Sequence, residues 1–216
     1  MWGVLTDGLA GILDAIYSVT GSYGLAIVVF TIITKMALYP LTVKQQRAMM
    51  DQKRLGPELQ KIQEKYKKNK EELQKKTMEF YKENNFNPLG GCFPLIVQLP
   101  IIWLLFSVLR SHDFAEQGFL WVPLLTDPDP YYIWPVLSAG LTYVQGRLSS
   151  PAADPSGKSN TQNTMNMIMP IFIGFISLTF PAGLVLYWTV GTLVTIMQYY
   201  VINKKLEVPK EEVTKT

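Results

Sequence analysis

From Tyr23 to Thr42 the chain reads YGLAIVVFTIITKMALYPLT. Apart from threonines and one lysine, Lys35, the run is apolar, and it is long enough to cross a hydrocarbon core as helix, which takes roughly 17 to 25 residues. A first membrane span is therefore placed at residues 23–41. On its N-terminal side, Trp2, Leu5, Leu9, Ile12, Leu13 and Ile16 recur at helical spacing, with Asp7 and Asp14 on another face. Residues 1–22 thus read as an extracytoplasmic amphipathic helix lying in the interface. No basic stretch or small-residue cleavage site makes it a removable signal peptide.

On the C-terminal side the composition changes at Thr42. Residues 42–86 are those of a charged helical hairpin, with Leu55, Leu59, Ile62 and Tyr66 on one apolar stripe and Leu73, Thr77, Phe80 and Tyr81 on another. Residues 67–70 (KKNK) supply its turn, and Gly56-Pro57 is expected to interrupt its first helix, with Pro57 opening a new one. Asn87 to Gly91 then break the helix before four further spans within residues 87–202: Cys92 to Leu109, Tyr132 to Leu148, Met165 to Phe180, and a last one ending near Ile202. Pro181-Ala182-Gly183 is expected to form the tight turn between the last two. Trp121 and Tyr131 read as interfacial anchors, and residues 203–216 as a short cytoplasmic tail. The fold class is an all-α membrane protein of five transmembrane helices, with an interfacial helix and a cytoplasmic hairpin.

Composition agrees, since 17% of the 216 residues are charged and 48% are hydrophobic, against roughly 25% charged in a soluble domain. Cys92 and His112 are single, which excludes disulfide frameworks, structural zinc and Cys/His nucleophile pairs. No phosphate-binding glycine loop, metal-ligand cluster or paired nucleophile occurs, so the chain does not read as an enzyme and needs no metal or cofactor.

Orientation follows from where lysine and arginine fall, because they gather on the cytoplasmic side. The hairpin holds 12 of the 20 basic residues, and Arg147, Lys158 and the tail's four lysines share its side. The segments before the first span, after Arg110 up to the third, and between the last two hold none. The N-terminus is therefore placed outside and the C-terminus in the cytoplasm.

Lys35 demands an explanation, since an ionised side chain near a span's centre costs roughly 2.5 to 3.5 kcal/mol. Two readings stand. It lies six residues before Leu41, about 9 Å from the cytoplasmic end at 1.5 Å per residue, within reach of snorkelling. With Thr31 on the same face and Thr34 adjacent it also forms a polar stripe suited to a wet groove. Gln98, Gln145, Asn163, Asn166, Thr189, Thr192 and Gln198 offer polar groups on other spans; each equally suits a bond between helices. Tyr187-Trp188 and the methionines at 165, 167 and 169 suit packing as well as substrate contact. The hairpin's 12 basic against 7 acidic residues suit a solvated pair of helices, anionic lipid headgroups or ribosomal RNA.

Four stretches carry a family likeness: TIITKMALYPLT (residues 31–42), NPLGGCFPLIVQLP (87–100), DPYYI (129–133) and FPAGLVLYW (180–188). With five spans in order, the sequence resembles the YidC family of membrane protein insertases over nearly all of residues 23–202. The resemblance implies a five-helix core around a groove open to cytoplasm and lipid but closed outside. It places Lys35, Thr31 and Trp188 in a substrate-binding groove, with Lys35 in the place of the family's usual arginine, and the polar Thr34, Gln98 and Asn166 are expected to line that groove with them. It implies that the similarly placed hairpin is needed for activity, and Leu59, Tyr66, Lys67, Lys68 and Phe80 are its expected contact residues. The expected function is insertion and folding of other membrane proteins in a bacterial plasma (inner) membrane, without a nucleotide. The expected partners are substrates with short translocated tails, the lipid bilayer, the Sec translocon and the ribosome, with no DNA. The sequence departs from larger relatives in showing no large extracytoplasmic domain, no lipoprotein signal and no long basic tail; it looks like the compact core form, and a ribosome contact falls to the hairpin. A small solute transporter and a passive docking scaffold are the rival readings; the absence of internal repeats and of a second buried charge speaks against the transporter.

Overall fold

The computed structural model describes residues 2–67, 69–84, 93–111, 117–149 and 161–206. The expected break at Asn87 to Gly91, the single Cys92 and His112, Lys68, most of the loop after Ser149 and the tail from residue 207 lie outside these. The described chain is eight helices: α1 Trp2–Thr20, α2 Tyr23–Ala37, α3 Tyr39–Lys65, α4 Lys70–Glu83, α5 Phe93–Ser111, α6 Ile133–Ser149, α7 Thr161–Ser177 and α8 Ala182–Leu206. Among the described residues the only β pairing is one bridge between Phe119 and Val122. The chain is an all-α membrane protein.

α1 stops because Gly21 adopts a left-handed φ of 68° and its N–H bonds back to Tyr17, while Ser22 restarts the chain as an extended N-cap. The axis turns by 115° between α1 and α2. Leu9, Ala10 and Leu13 are buried, where α1 packs on α2 and α5; Trp2, Val4, Leu5, Ile12 and Val19 face outward. One helix thus carries apolar residues both to the bundle and to the surroundings, as suits a helix lying in an interface.

α8 is the hub. Residues 181–187 are buried without interruption, and the helix packs against α2, α6, α5 and α3. Among the described residues it alone is long and apolar enough to cross a membrane unaided, over Ala182–Lys204 with mean hydropathy 1.4; α1 and α2 meet that standard only as a bent pair. Polar groups of α6, α7 and α8 bond across helices. Ser138 of α6 lies 3.2 Å from Ser177 of α7, and Trp188 Nε1 of α8 donates to Thr142 Oγ1 of α6 at 3.3 Å. Val136, Leu137, Tyr143 and Val144 of α6 meanwhile face outward. In lipid such bonds between helices help hold neighbouring spans together.

Residues 117–131 close one end of the bundle. Asp129, almost fully buried, accepts from Trp134 N at 2.7 Å, Tyr131 N at 3.0 Å and Trp121 Nε1 at 3.2 Å, capping α6 with its carboxylate. Trp121 stacks on Trp134 at 4.8 Å. It is thus turned inward rather than serving as the interfacial anchor expected; Tyr131 is exposed. The first N–H groups of α8, at Ala182 and Gly183, donate to the carbonyls of Asp127 and Leu125 at 2.7 and 2.9 Å, satisfying donors a helix start leaves free. Phe119 seats its ring on Gly24, where any side chain would overlap it.

Two expectations are corrected. α3 runs unbroken from Tyr39 to Lys65 with Pro57 inside it, where Gly56-Pro57 was expected to interrupt. A proline removes one backbone donor and bends a helix, but the helices on each side continue when the apolar stripe through Leu55 and Leu59 holds them to one partner. The turn before α8 spans Leu178 to Pro181, with Ala182 and Gly183 already helical. Gly183 serves a close approach instead: a methyl group there would lie 3.1 Å from Leu109 and 3.2 Å from the Leu125 carbonyl.

Candidate functional site

α2 and α8 pack together and start at the same end of the bundle, the end closed by residues 117–131. Their shared seam holds a group of polar residues that a membrane helix does not carry cheaply. On it lie Thr31, which is buried, Lys35, which is half-buried, and the buried Gln198 of α8; Thr189 and Thr192, elsewhere on α8, are buried too. Each threonine hydroxyl donates to its own helix four residues back: Thr31 to Ile27 at 2.6 Å, Thr34 to Phe30 at 2.8 Å, Thr189 to Val185 at 2.7 Å and Thr192 to Trp188 at 2.9 Å. With its proton spent, each hydroxyl oxygen keeps acceptor capacity only. The seam therefore sets Lys35, its one cation, beside oxygen acceptors, the Thr31 hydroxyl and the Gln198 Oε1.

Lys35 is held at two points by α8. Gln198 Nε2 donates to its backbone carbonyl at 3.1 Å. Two turns earlier on α8, a methyl group at Gly191 would stand 3.1 Å from Lys35 Cε and 3.7 Å from Nζ. The side chain thus runs back toward the N-terminal end of both helices, the direction helical side chains favour, and away from α3 where a snorkelling lysine would head. No hydrogen-bonding group or carboxylate among the described residues partners its ammonium, and none of the five spanning helices contains aspartate or glutamate.

The other expected groove residues divide. Thr31 meets the same point on α8, its Cγ2 lying 3.6 Å from a methyl at Gly191. Gln98 of α5 donates to Tyr187 Oη at 2.6 Å, and the Tyr187 ring lies 6.5 Å from Phe30 of α2, so this pair borders the seam. Trp188 turns to α6 through Thr142. The side chain of Asn166 lies outside the described residues. Sequence reasoning missed Gly191, because glycine displays no chemistry. It also missed Gln46 of α3, buried with its Oε1 unpartnered like that of Gln198 and Oδ1 of Asn203.

The hairpin forms a small core of its own, with Leu55 and Phe80 buried and Leu59 and Tyr66 partly so, while Lys67 is exposed and Lys68 lies outside the described residues. Asn69 caps α4, accepting from Glu72 N at 3.2 Å and donating to Glu72 Oε2 at 3.3 Å. Lys76 donates to Glu79 at 2.7 Å. That bond holds the Lys76 ammonium above its ordinary pKa and the Glu79 carboxyl below its own. Burial pushes Tyr81 up.

The described residues form a helical membrane bundle, closed at one end by a hydrogen-bonded loop, with Lys35 on the seam between α2 and α8 and a charged hairpin leading off through α3. Residues 15–211 match the family described as 60Kd inner membrane protein, and the chain belongs to that family. It is 42% identical over 208 residues to the membrane protein insertase YidC of Fusobacterium nucleatum, covering 95% of this chain and 98% of the relative. It is 36% identical to that of Caldanaerobacter subterraneus, covering 94% and 96%. The insertase of Laribacter hongkongensis is longer: 39% identity extends over 94% of this chain but only 36% of that one. A crystal structure of an active YidC insertase with its first transmembrane domain resolved superposes with a TM-score of 0.74 at 27% identity, over 93% of this chain and 47% of the other.

Proposed function

We propose that the chain inserts other membrane proteins by admitting the hydrophilic flank of a substrate to the polar seam between α2 and α8, while the substrate's apolar segment leaves sideways into lipid. A polar path inside the bilayer lowers the cost of carrying unpaired backbone and charged groups through hydrocarbon, and transfer of the apolar segment supplies the drive. The observation that carries this reading is the ammonium of Lys35 inside the seam between α2 and α8, with no carboxylate or hydrogen-bonding partner among the described residues. Such a cation attracts acidic residues in a short translocated tail. Thr31, Thr34, Gln98 and Asn166 complete the proposed groove, with Trp188 at its α6 side, where its indole N–H donates to Thr142. The hairpin, through Leu59, Tyr66, Lys67, Lys68 and Phe80, is the proposed site for incoming substrate, the ribosome or the Sec translocon. The proposed orientation has α1 outside, the hairpin and C-terminus in the cytoplasm, in a bacterial plasma membrane.

Reconstitution tests it. Liposomes holding the full chain should insert a single-span protein with a short acidic tail, Lys35→Arg should retain that activity, and Lys35→Ala should impair it more than insertion of a neutral-tailed substrate. Equal insertion of both substrates by Lys35→Ala rejects the role of the charge. Ion flux through liposomes without substrate would favour a transporter instead.

A further inference from the structure

A lysine has four methylene groups and many rotamers, and nothing intrinsic to α2 fixes where its ammonium rests. The structure assigns that task to α8: we propose that Gly191 is a positioning residue that seats the stem of Lys35, holding the ammonium at the level of Gly191 instead of letting it swing toward α3. This rests on the reading of Lys35 as the groove's cation.

Glycine in a helix interior costs about 1 kcal/mol relative to alanine, so one at the middle of the hub helix asks for a reason. The reason is spatial. The volume that a side chain would fill at Gly191 is bordered by Lys35 Cε at 3.1 Å, Thr31 Cγ2 at 3.6 Å and Lys35 Nζ at 3.7 Å. All three neighbours are side-chain atoms of α2, so the space is left for the lysine rather than for a helix-to-helix backbone approach. Thr31 contributes by spending its hydroxyl on Ile27, which leaves its methyl toward Gly191. Gln198, seven residues on and hence on nearly the same face of α8, fixes the other end of the residue through its carbonyl. One face of one helix thus sets both the position of the Lys35 backbone and the reach of its charge.

The arrangement predicts a graded response. Gly191→Ala asks the far end of a flexible side chain to give by a few tenths of an ångström; Gly191→Val fills the seat. Two measurements on the full chain in liposomes test this. In the first, amines are acylated with limiting reagent and quantified by peptide mass spectrometry, Lys35 against Lys44 in the same chain. Lys35 modification should rise at least about twofold in Gly191→Val, the lower end of coupling between touching residues, and less in Gly191→Ala. In the second, insertion of acidic-tailed and neutral-tailed substrates is compared. Gly191→Val should lower the acidic-to-neutral ratio toward that of Lys35→Ala and have no effect on the ratio when Lys35→Ala is already present. Unchanged acylation in both Gly191 variants overturns the seat, whatever insertion does. An equal fall of the ratio in the Lys35→Ala background overturns it too, since glycine would then act only on packing. If Lys35→Ala leaves the ratio untouched, the reading of Lys35 as a lure fails, and the seat stands or falls on acylation alone.

Discussion

Lys35 sits in the seam at a cost that function must justify, and the cost is measurable. Removing an ionised group from a span recovers up to roughly 2.5 to 3.5 kcal/mol on insertion scales. Lys35→Leu should therefore unfold later than the parent in bicelles as followed by helical ellipticity, and a destabilised variant would mean the ammonium has a bonding partner in the seam. The opposite holds at Gly24, whose missing side chain makes room for the Phe119 ring. Gly24→Val should overpack the closed end and destabilise by about 1 to 3 kcal/mol. The smaller ring-free variant Phe119→Ala in the same chain should restore part of that loss. Lys35 and Thr31 were legible in the sequence because a charge and a hydroxyl are conspicuous in an apolar run. Gly191 and Gly24 were not, because what they do is leave space for a residue far away in sequence.

At the level of elements, the hairpin depends on its own small core and on local bonds, with Leu55 and Phe80 buried apart from the bundle's core. Asn69→Ala removes the cap of α4 and should cost about 1 kcal/mol, read as faster amide exchange in α4 and unchanged exchange in α8. Equal acceleration in both would show that hairpin and bundle open as one unit. The Lys76–Glu79 pair adds a pH dependence whose sign is fixed. Glu79 is depressed by its bond to Lys76, so its contribution is present above the unfolded carboxylate pKa of about 4.3 and fades as pH falls through its lower folded value. Lys76 is raised by the same bond, so its contribution is present below about 10.4 and fades only above that. Protection of α4, corrected for intrinsic exchange, should be level across neutral pH and drop on the acid side. Both groups are solvent-exposed, so added salt should shrink the effect.

For the whole molecule, the helical class and the likeness to known insertases were legible because long apolar runs and family-specific stretches survive in a single sequence. The bounds of elements were less so. Pro181-Ala182-Gly183 has turn composition, yet Gly183 is helical and spent on contact with Leu109 and Leu125. Trp121 has the composition of an interfacial anchor, yet a buried carboxylate from Asp129 and the Trp134 ring draw it inward. Both depend on partners distant in sequence, which periodicity does not reveal. Orientation across the membrane rests on the segregation of basic residues, and it governs everything proposed for the seam, since a groove open to the wrong side meets no newly made substrate. Two exposed sites decide it: Leu120 in the loop that closes one end of the bundle, and Lys67 at the tip of the hairpin. In a chain with Cys92 replaced by serine, Leu120→Cys should react with an impermeant maleimide added outside intact cells, and Lys67→Cys should react only after the membrane is breached. The α8 termini then follow, because Gly183 bonds to the same loop and Asn203 lies at the opposite end of one continuous helix. The reverse labelling pattern would turn the closed end to the cytoplasm and leave Lys35 with its open approach from outside, where acidic tails awaiting translocation are absent.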